Sequence, residues 1–342
     1  MAQATFCLHI GERYVSLSDV EDKKDHLILK SAAYNEIPFN IYSVTSQEYA
    51  TKTAELLRKM IADSQIRKTE VQIIIPDSQS YTRIFEMPLL TDKELISAIR
   101  YQADQFIPIP IDKVSLDIHI ISKDKKTNKS SILLVAAAKT VIDHVVKIVE
   151  DAGLIPTNIE NETSALLSLI SRASEIAKPA DGIAVYINFG NTSTSIYLYD
   201  MTVNLPLQVH NFTIGQYIFY KDIQANVNAT TDQIKEIIER VGFTSQQASI
   251  DISSILASPL NEFTAEIHRF IVSSQEKTQT DISKVFLLGE GSRFAGLEQK
   301  ISEGIGLPVE LLNLDLAFEK NSVSEYFAHD WPILAASIGG DM

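Results

Sequence analysis

Apolar positions in the first forty residues fall in short extended runs. Residues 4–17 predict a strand, a break at Gly11 and a second strand, and 27–37 continue in extended character. From 46 to 64 the period becomes helical, with Tyr49, Thr53, Leu56, Leu57, Met60 and Ile61 on one side. The β-branched run 71–75 predicts a buried strand, and 81–87 another. Thr91 and Glu94 have capping-box spacing ahead of Leu95, Ile96, Ile99 and Phe106, so a helix opens there; Pro108 and Pro110 stop it and force an extended segment. Residues 116–122 and 131–137 flank a polar loop and predict a hairpin, followed by helices over 141–152, closed by Gly153, and 163–176.

Residues 177–182, with Lys178, Pro179, Ala180 and Asp181, read as a boundary, and the opening pattern then returns. Strands are predicted over 182–189, 194–199 and 207–214, with Gly190 as the break. Helices follow over 230–241 and 259–275, then a strand over 284–288 running into Gly289 and Gly291, a helix over 296–305, an extended end at 307–312, and a last helix over 326–338 interrupted at Pro332. Two copies of strand–Gly–strand predict a duplicated α/β domain with a crevice between the halves.

Length and composition agree with two globular domains: 342 residues, 45% hydrophobic and 22% charged. The formal charge of −14 disfavours nucleic acid and anionic lipid as partners. The best basic cluster, Lys123, Lys125, Lys126 and Lys129, lies among Thr127, Asn128 and Ser130 and reads as a solvated hairpin loop. A single cysteine, Cys7, allows no internal disulfide and reads as a buried thiol. The longest apolar run, 132–138, is too short to span a bilayer, and the N-terminus lacks a signal-peptide pattern, so a cytoplasmic location is expected. The histidines show no zinc-ligand spacing, and neither a P-loop nor a nucleophile elbow occurs; no metal or catalytic residue is expected.

Four stretches carry a resemblance. Met87-Pro88-Leu89-Leu90 leads through Ala98-Ile99-Arg100-Tyr101-Gln102 to Phe106-Ile107-Pro108-Ile109-Pro110 and then Leu116-Asp117. Tyr186-Ile187-Asn188-Phe189-Gly190-Asn191-Thr192-Ser193 and Leu288-Gly289-Glu290-Gly291-Ser292 are the second and third, and Ala335-Ala336-Ser337-Ile338-Gly339 the fourth. In this order they resemble the PilM family of type IV pilus assembly proteins, within the actin/Hsp70/sugar-kinase superfamily. The resemblance implies an actin-like α/β fold of two domains with duplicated mixed sheets and a small inserted subdomain of the FtsA/PilM type. Its implied parts are 1–84, 155–180 and 315–342 for the first domain, 85–154 for the small subdomain, 181–215 and 281–314 for the second domain, and 216–280 for an inserted lobe.

The resemblance also implies ATP and Mg in the crevice. Nucleotide-binding residues, if that role is retained, would be Gly11, Gly190, Thr192, Ser193, Asp232, Lys235, Gly289, Gly291 and Ser292. Three substitutions argue against hydrolysis: His9 and Asn188 stand where the superfamily places Asp, and Glu12 puts a carboxylate where phosphates would lie. Read blandly, Gly11 and Gly190 are tight hairpin turns, and Asp232 and Lys235 solvated helix residues. Three functions stay open here: a scaffold with a degenerate nucleotide site, an ATP-binding switch, and an FtsA-like division protein. The last implies a basic amphipathic tail, which the ending Gly339-Gly340-Asp341-Met342 does not supply.

As partner, the resemblance implies the cytoplasmic N-terminal peptide of a PilN-like inner-membrane protein, with a pilus motor ATPase and self-association as further partners. Phe106, Ile107, Pro108, Ile109, Pro110 and Ile111 would wall the peptide site, where an extended peptide could add as a strand; plain packing of the small subdomain is the other reading of the same residues.

Overall fold

The computed structural model of the chain describes residues 5–43, 46–177, 181–244 and 251–342; the side chains of residues 92 and 102–106 lie outside that description. The chain divides into two compact units, 1–177 with 315–342 and 178–314. Lys178, Pro179 and Ala180, expected at the boundary, fall outside the described residues.

In the first unit, β1 (Phe6–Ile10), β2 (Tyr14–Asp22) and β3 (Leu27–Glu36) form an antiparallel meander. Helix α1 (Gln47–Ser64) then leads to β4 (Glu70–Ile75), parallel to β1. Strands β5 (Ser80–Pro88), β6 (Val114–Asp124) and β7 (Lys129–Ala138) form a separate small sheet, with α2 (Asp92–Phe106) between β5 and β6. The capping box is present: Glu94 Oε2 accepts from the Thr91 backbone N–H at 2.8 Å. The predicted hairpin is β6–β7, and Asn128 in its polar loop has φ 55°. Helix α3 (Lys139–Asp151) ends before Gly153, whose φ of 86° few other residues adopt readily.

β8 (Ile155–Asn161) pairs parallel to β4 and leads directly into α4 (Glu162–Ala177). Pattern reading missed β8. Its pattern of exposed Ile155, Pro156 and polar Thr157 and Asn158 is that of an edge strand held by backbone pairing, not by burial. The main sheet runs β3-β2-β1-β4-β8. Its core of Phe6, Leu8, Val15, Leu17, Ile73 and Leu57 is sealed by α1 and α3.

The second unit repeats the plan. Strands β9 (Ile183–Phe189), β10 (Thr194–Asp200) and β11 (Leu205–Phe212) form the meander. Helices α5 (Gln216–Asn226), α6 (Thr231–Glu236), α7 (Ile252–Ile255) and α8 (Ala257–Thr278) precede β12 (Ile282–Leu288), α9 (Leu297–Ile305) and β13 (Val309–Leu311). The sheet order β11-β10-β9-β12-β13 matches the first unit strand for strand. Four phenylalanines, Phe189, Phe219, Phe263 and Phe294, meet in its core with ring centroids 4.6–6.2 Å apart.

Chain then returns to the first unit as α10 (Ser322–Tyr326) and α11 (Trp331–Gly340). The single interrupted helix expected over 326–338 is therefore corrected. α10 ends at Tyr326, and Pro332 lies in the first turn of α11, where its missing N–H costs no helical bond. The buried α11 packs on α4 and β2; a Cβ on Gly339 or Gly340 would collide with Ala165 O or Cys7 Sγ. Cys7 is buried, and burial pushes its thiol pKa well up.

Candidate functional site

The duplicated meanders turn in the same way. Gly11 N donates to Tyr14 O at 2.9 Å, and Gly190 N to Ser193 O at 3.1 Å. Both glycines sit where a Cβ would approach a carbonyl oxygen, 2.7 Å from Tyr14 O and 2.9 Å from Ser193 O. Their hydrogen bonds are those of tight hairpin turns.

In the first unit, side chains fill the surroundings of the Gly11 turn. His9 Nε2 lies 3.0 Å from Glu162 Oε1. The other Glu162 oxygen accepts from the Asp77 backbone N–H at 3.0 Å. Asp77 is buried and accepts from Asn161 Nδ2 at 3.0 Å, from the Thr163 backbone N–H at 2.9 Å and from the Thr163 hydroxyl at 2.8 Å. Glu12 is buried too, and Asn40 Nδ2 donates to its Oε1 at 3.1 Å. Tyr42 donates to Ile10 O at 2.6 Å; burial, with Glu12 and Glu162 nearby, drives its phenol pKa well above the ordinary range. Ser16 faces α11, its hydroxyl 3.2 Å from Ile333 O.

A triphosphate here would meet buried Glu12 in a poorly screened setting. Both Asp77 oxygens and Glu162 Oε2 accept internal hydrogen bonds, whereas His9 Nε2, though 3.0 Å from Glu162 Oε1, makes no hydrogen bond among the described residues. The Gly11 turn is thus bordered by the buried side chains of Glu12 and His9.

The second unit gathers most of its expected residues at the ends of β9 and β12. Gly289 has φ 83°, and a Cβ there would collide with Asn188 Oδ1; one on Gly291 would collide with the Phe189 ring. Ser292 N donates to Gly289 O at 3.0 Å, and Ser193 and Ser292 are both buried. Thr192 is half-buried. The first N–H groups of α5 are used internally: Gln216 N donates to Gly190 O at 3.0 Å and Tyr217 N to Asn191 O at 2.9 Å. Gln216 is buried, and its Nε2 has no partner. Asp232 is exposed and Lys235 half-buried on α6. The wide turn after α6 meets the glycine turn through Arg293 Nη2 and Glu239 Oε2, 3.2 Å apart.

A second concave surface lies on the small sheet of the first unit. A groove of about 490 Å³ is lined by Arg100, Ile111, Asp112, Val114, Ser115, Leu116 and Lys139. β6 borders it as an edge strand, with one side unpaired in the sheet order β5-β7-β6. Lys139 Nζ donates to Asp112 O at 2.8 Å, joining two of the lining residues. Of the residues expected to wall a peptide site, Ile111 lines this groove. Ile107 is buried in the core under the small sheet, Ile109 packs against that core, Pro108 and Pro110 are exposed, and the Phe106 side chain lies outside the described residues. Pattern reading passed over Arg100, Ser115 and Lys139 as groove residues, because only folding brings α2, β6 and the start of α3 together.

The fold is that of the actin-like proteins. A Bacteroides thetaiotaomicron protein of actin-like ATPase fold aligns with TM-score 0.50 at 11% identity over 98% of this chain and 95% of its own. The ethanolamine utilization protein EutJ from Carboxydothermus hydrogenoformans aligns with TM-score 0.55 at 11% identity, over 98% and 88%. A structure of a PilM-PilN type IV pilus biogenesis complex aligns with TM-score 0.84 at 22% identity, over 99% and 97%. The sequence model of the family described as type IV pilus assembly protein PilM matches residues 7–339. This chain belongs to the PilM family.

Proposed function

We propose that this protein is a cytoplasmic platform for type IV pilus assembly that holds the cytoplasmic N-terminal peptide of a PilN-like inner-membrane protein in the groove beside β6. The family match over residues 7–339 carries the reading. The structural similarity to a PilM-PilN complex supports the choice of partner. No helix among the described residues is long and apolar enough to cross a membrane; in this reading the partner supplies the attachment. The groove supplies an unpaired strand edge for main-chain hydrogen bonds and the apolar Ile111, Val114 and Leu116 for alternate side chains.

ATP hydrolysis is not part of this reading. The internally hydrogen-bonded carboxylates around Gly11 support that view, because the chemistry needs a placed metal and a free charge for its water. A second reading, a nucleotide-binding switch, draws on the unpartnered buried Gln216 Nε2 beside Gly190 in the second unit.

A synthetic peptide with the N-terminal sequence of the adjacently encoded membrane protein tests the platform. It binds the wild-type chain, and Ser115→Trp, which fills the groove from an exposed position, weakens binding at least tenfold. Equal affinity for both proteins removes the groove from consideration.

A further inference from the structure

The buried polar cluster beside the Gly11 turn also touches the root of the small sheet. Asn161, at the end of β8, accepts from the Ser164 backbone N–H through Oδ1 at 3.1 Å. That bond fixes which way the amide faces. Its Nδ2 then meets three acceptors: Asp77 Oδ1 at 3.0 Å, Ser80 Oγ at 2.9 Å and Thr82 Oγ1 at 2.7 Å. An amide nitrogen carries two hydrogens, so three acceptors compete for two donors. The hydrogens are therefore shared, and Asn161 joins Asp77 to two residues of β5 at once.

Asp77 is in turn tied to Glu162, whose Oε2 accepts from the Asp77 backbone N–H at 3.0 Å. On the other side, Ser80 is paired across the sheet with Ala137, and Ala137 with Ser115; Thr82 is paired with Val135, and Val135 with Asp117. The two β5 residues gripped by Asn161 thus stand in the same cross-strand rows as groove-lining Ser115 and its neighbour Asp117 on β6.

We propose that the Glu162–Asp77–Asn161 chain is a positioning device that sets the pose of β5 and, through two cross-strand rows, the affinity of the β6 groove for its peptide. This inference rests on the peptide reading above for its functional output, and on its own geometry for the structural one.

Two measurements separate the inference from that reading: affinity for the adjacently encoded peptide, and hydrogen exchange of the β5 amides without peptide. Thr82→Val removes one acceptor and suits a strand; Thr82→Ser keeps it. Thr82→Val and Glu162→Ala are each expected to weaken peptide binding at least threefold and to speed exchange at 80–83, while Thr82→Ser behaves as wild type. The double variant weakens binding no more than the stronger single variant, as expected for one connected network. Wild-type affinity and exchange in both single variants, or fully additive losses, overturn the device while the groove stands. No peptide binding by the wild-type chain, with faster β5 exchange in both variants, retires the peptide reading and with it the effect on affinity, while the hold on β5 stands.

Discussion

The Ser18 hydroxyl donates to Asp341 Oδ2 across 2.8 Å, tying the end of the last helix to the second strand of the chain. The Val20 backbone N–H donates to the same oxygen at 3.1 Å. Burial drives the Asp341 carboxyl pKa well above the ordinary aspartate value of 3.8, against the pull of these hydrogen bonds, with Asp19 adding to the rise and Lys68 opposing it. A raised folded-state pKa means the charged form burdens the fold at neutral pH, and that burden is relieved as pH falls through the folded value. Asp341→Asn keeps an acceptor and removes the charge. The variant is expected to melt at or above the wild-type temperature at pH 7.5, with the gap closing as pH approaches 4.5. A gap that widens toward acid contradicts this assignment.

The phenylalanine cluster of the second unit makes a packing prediction. Phe263 is fully buried and meets Phe189 at 4.6 Å between centroids. Phe263→Ala is expected to cost about 3–5 kcal/mol. In chemical denaturation the loss should appear in a transition monitored within 181–314. An unchanged midpoint there refutes the packing account.

The turn after β12 predicts a backbone effect. Gly289→Ala forces a Cβ onto a φ of 83° and into Asn188 Oδ1. A loss of about 1–3 kcal/mol is expected. Asn188→Ala in the same background should recover part of it, because the nearest obstacle is then shortened; strict additivity excludes that contact as the cause.

Magnesium and ATP make a ligand prediction. A ligand present at 100 times its Kd stabilises a protein by about 2.7 kcal/mol. With Mg-ATP at millimolar concentration, this chain is expected to keep its melting temperature within about 1 °C and to release no phosphate above the no-enzyme background. A magnesium-dependent rise of several degrees supports the nucleotide-switch reading instead, and Gln216→Ala should abolish it.

The groove makes an electrostatic prediction. Arg100 and Lys139 give it two exposed cations, and Lys139 Nζ is held by Asp112 O at 2.8 Å. Arg100→Glu is expected to change peptide affinity by about threefold to tenfold and to alter its salt dependence, without moving the melting temperature by more than about 1 °C. Identical salt slopes for variant and wild type place the peptide elsewhere.

Local chemistry was enough for much of this architecture. The capping box at Thr91, the stop at Pro108 and Pro110, the turns at Gly11 and Gly190 and the β6–β7 hairpin follow from backbone rules that act within a few residues. The repeated strand–Gly–strand pattern became two sheets of matching strand order, because like patterns bury like faces. Tertiary structure alone decided the rest. β8 exists because β4 offers it a parallel edge, not because its own residues are apolar. Pro332 opens a helix because the preceding segment turns at Phe327–Asp330, where a backbone bond of 2.8 Å closes the chain. Glu162, Asp77 and Asn161 carry no periodic signal, and only pairing of β1, β4 and β8 gathers them against His9. The groove likewise joins residues from α2, β6 and α3 that no spacing rule connects. Sequence order specifies contacts along one element; contacts between elements depend on which faces find partners, and that is settled by packing of the whole unit.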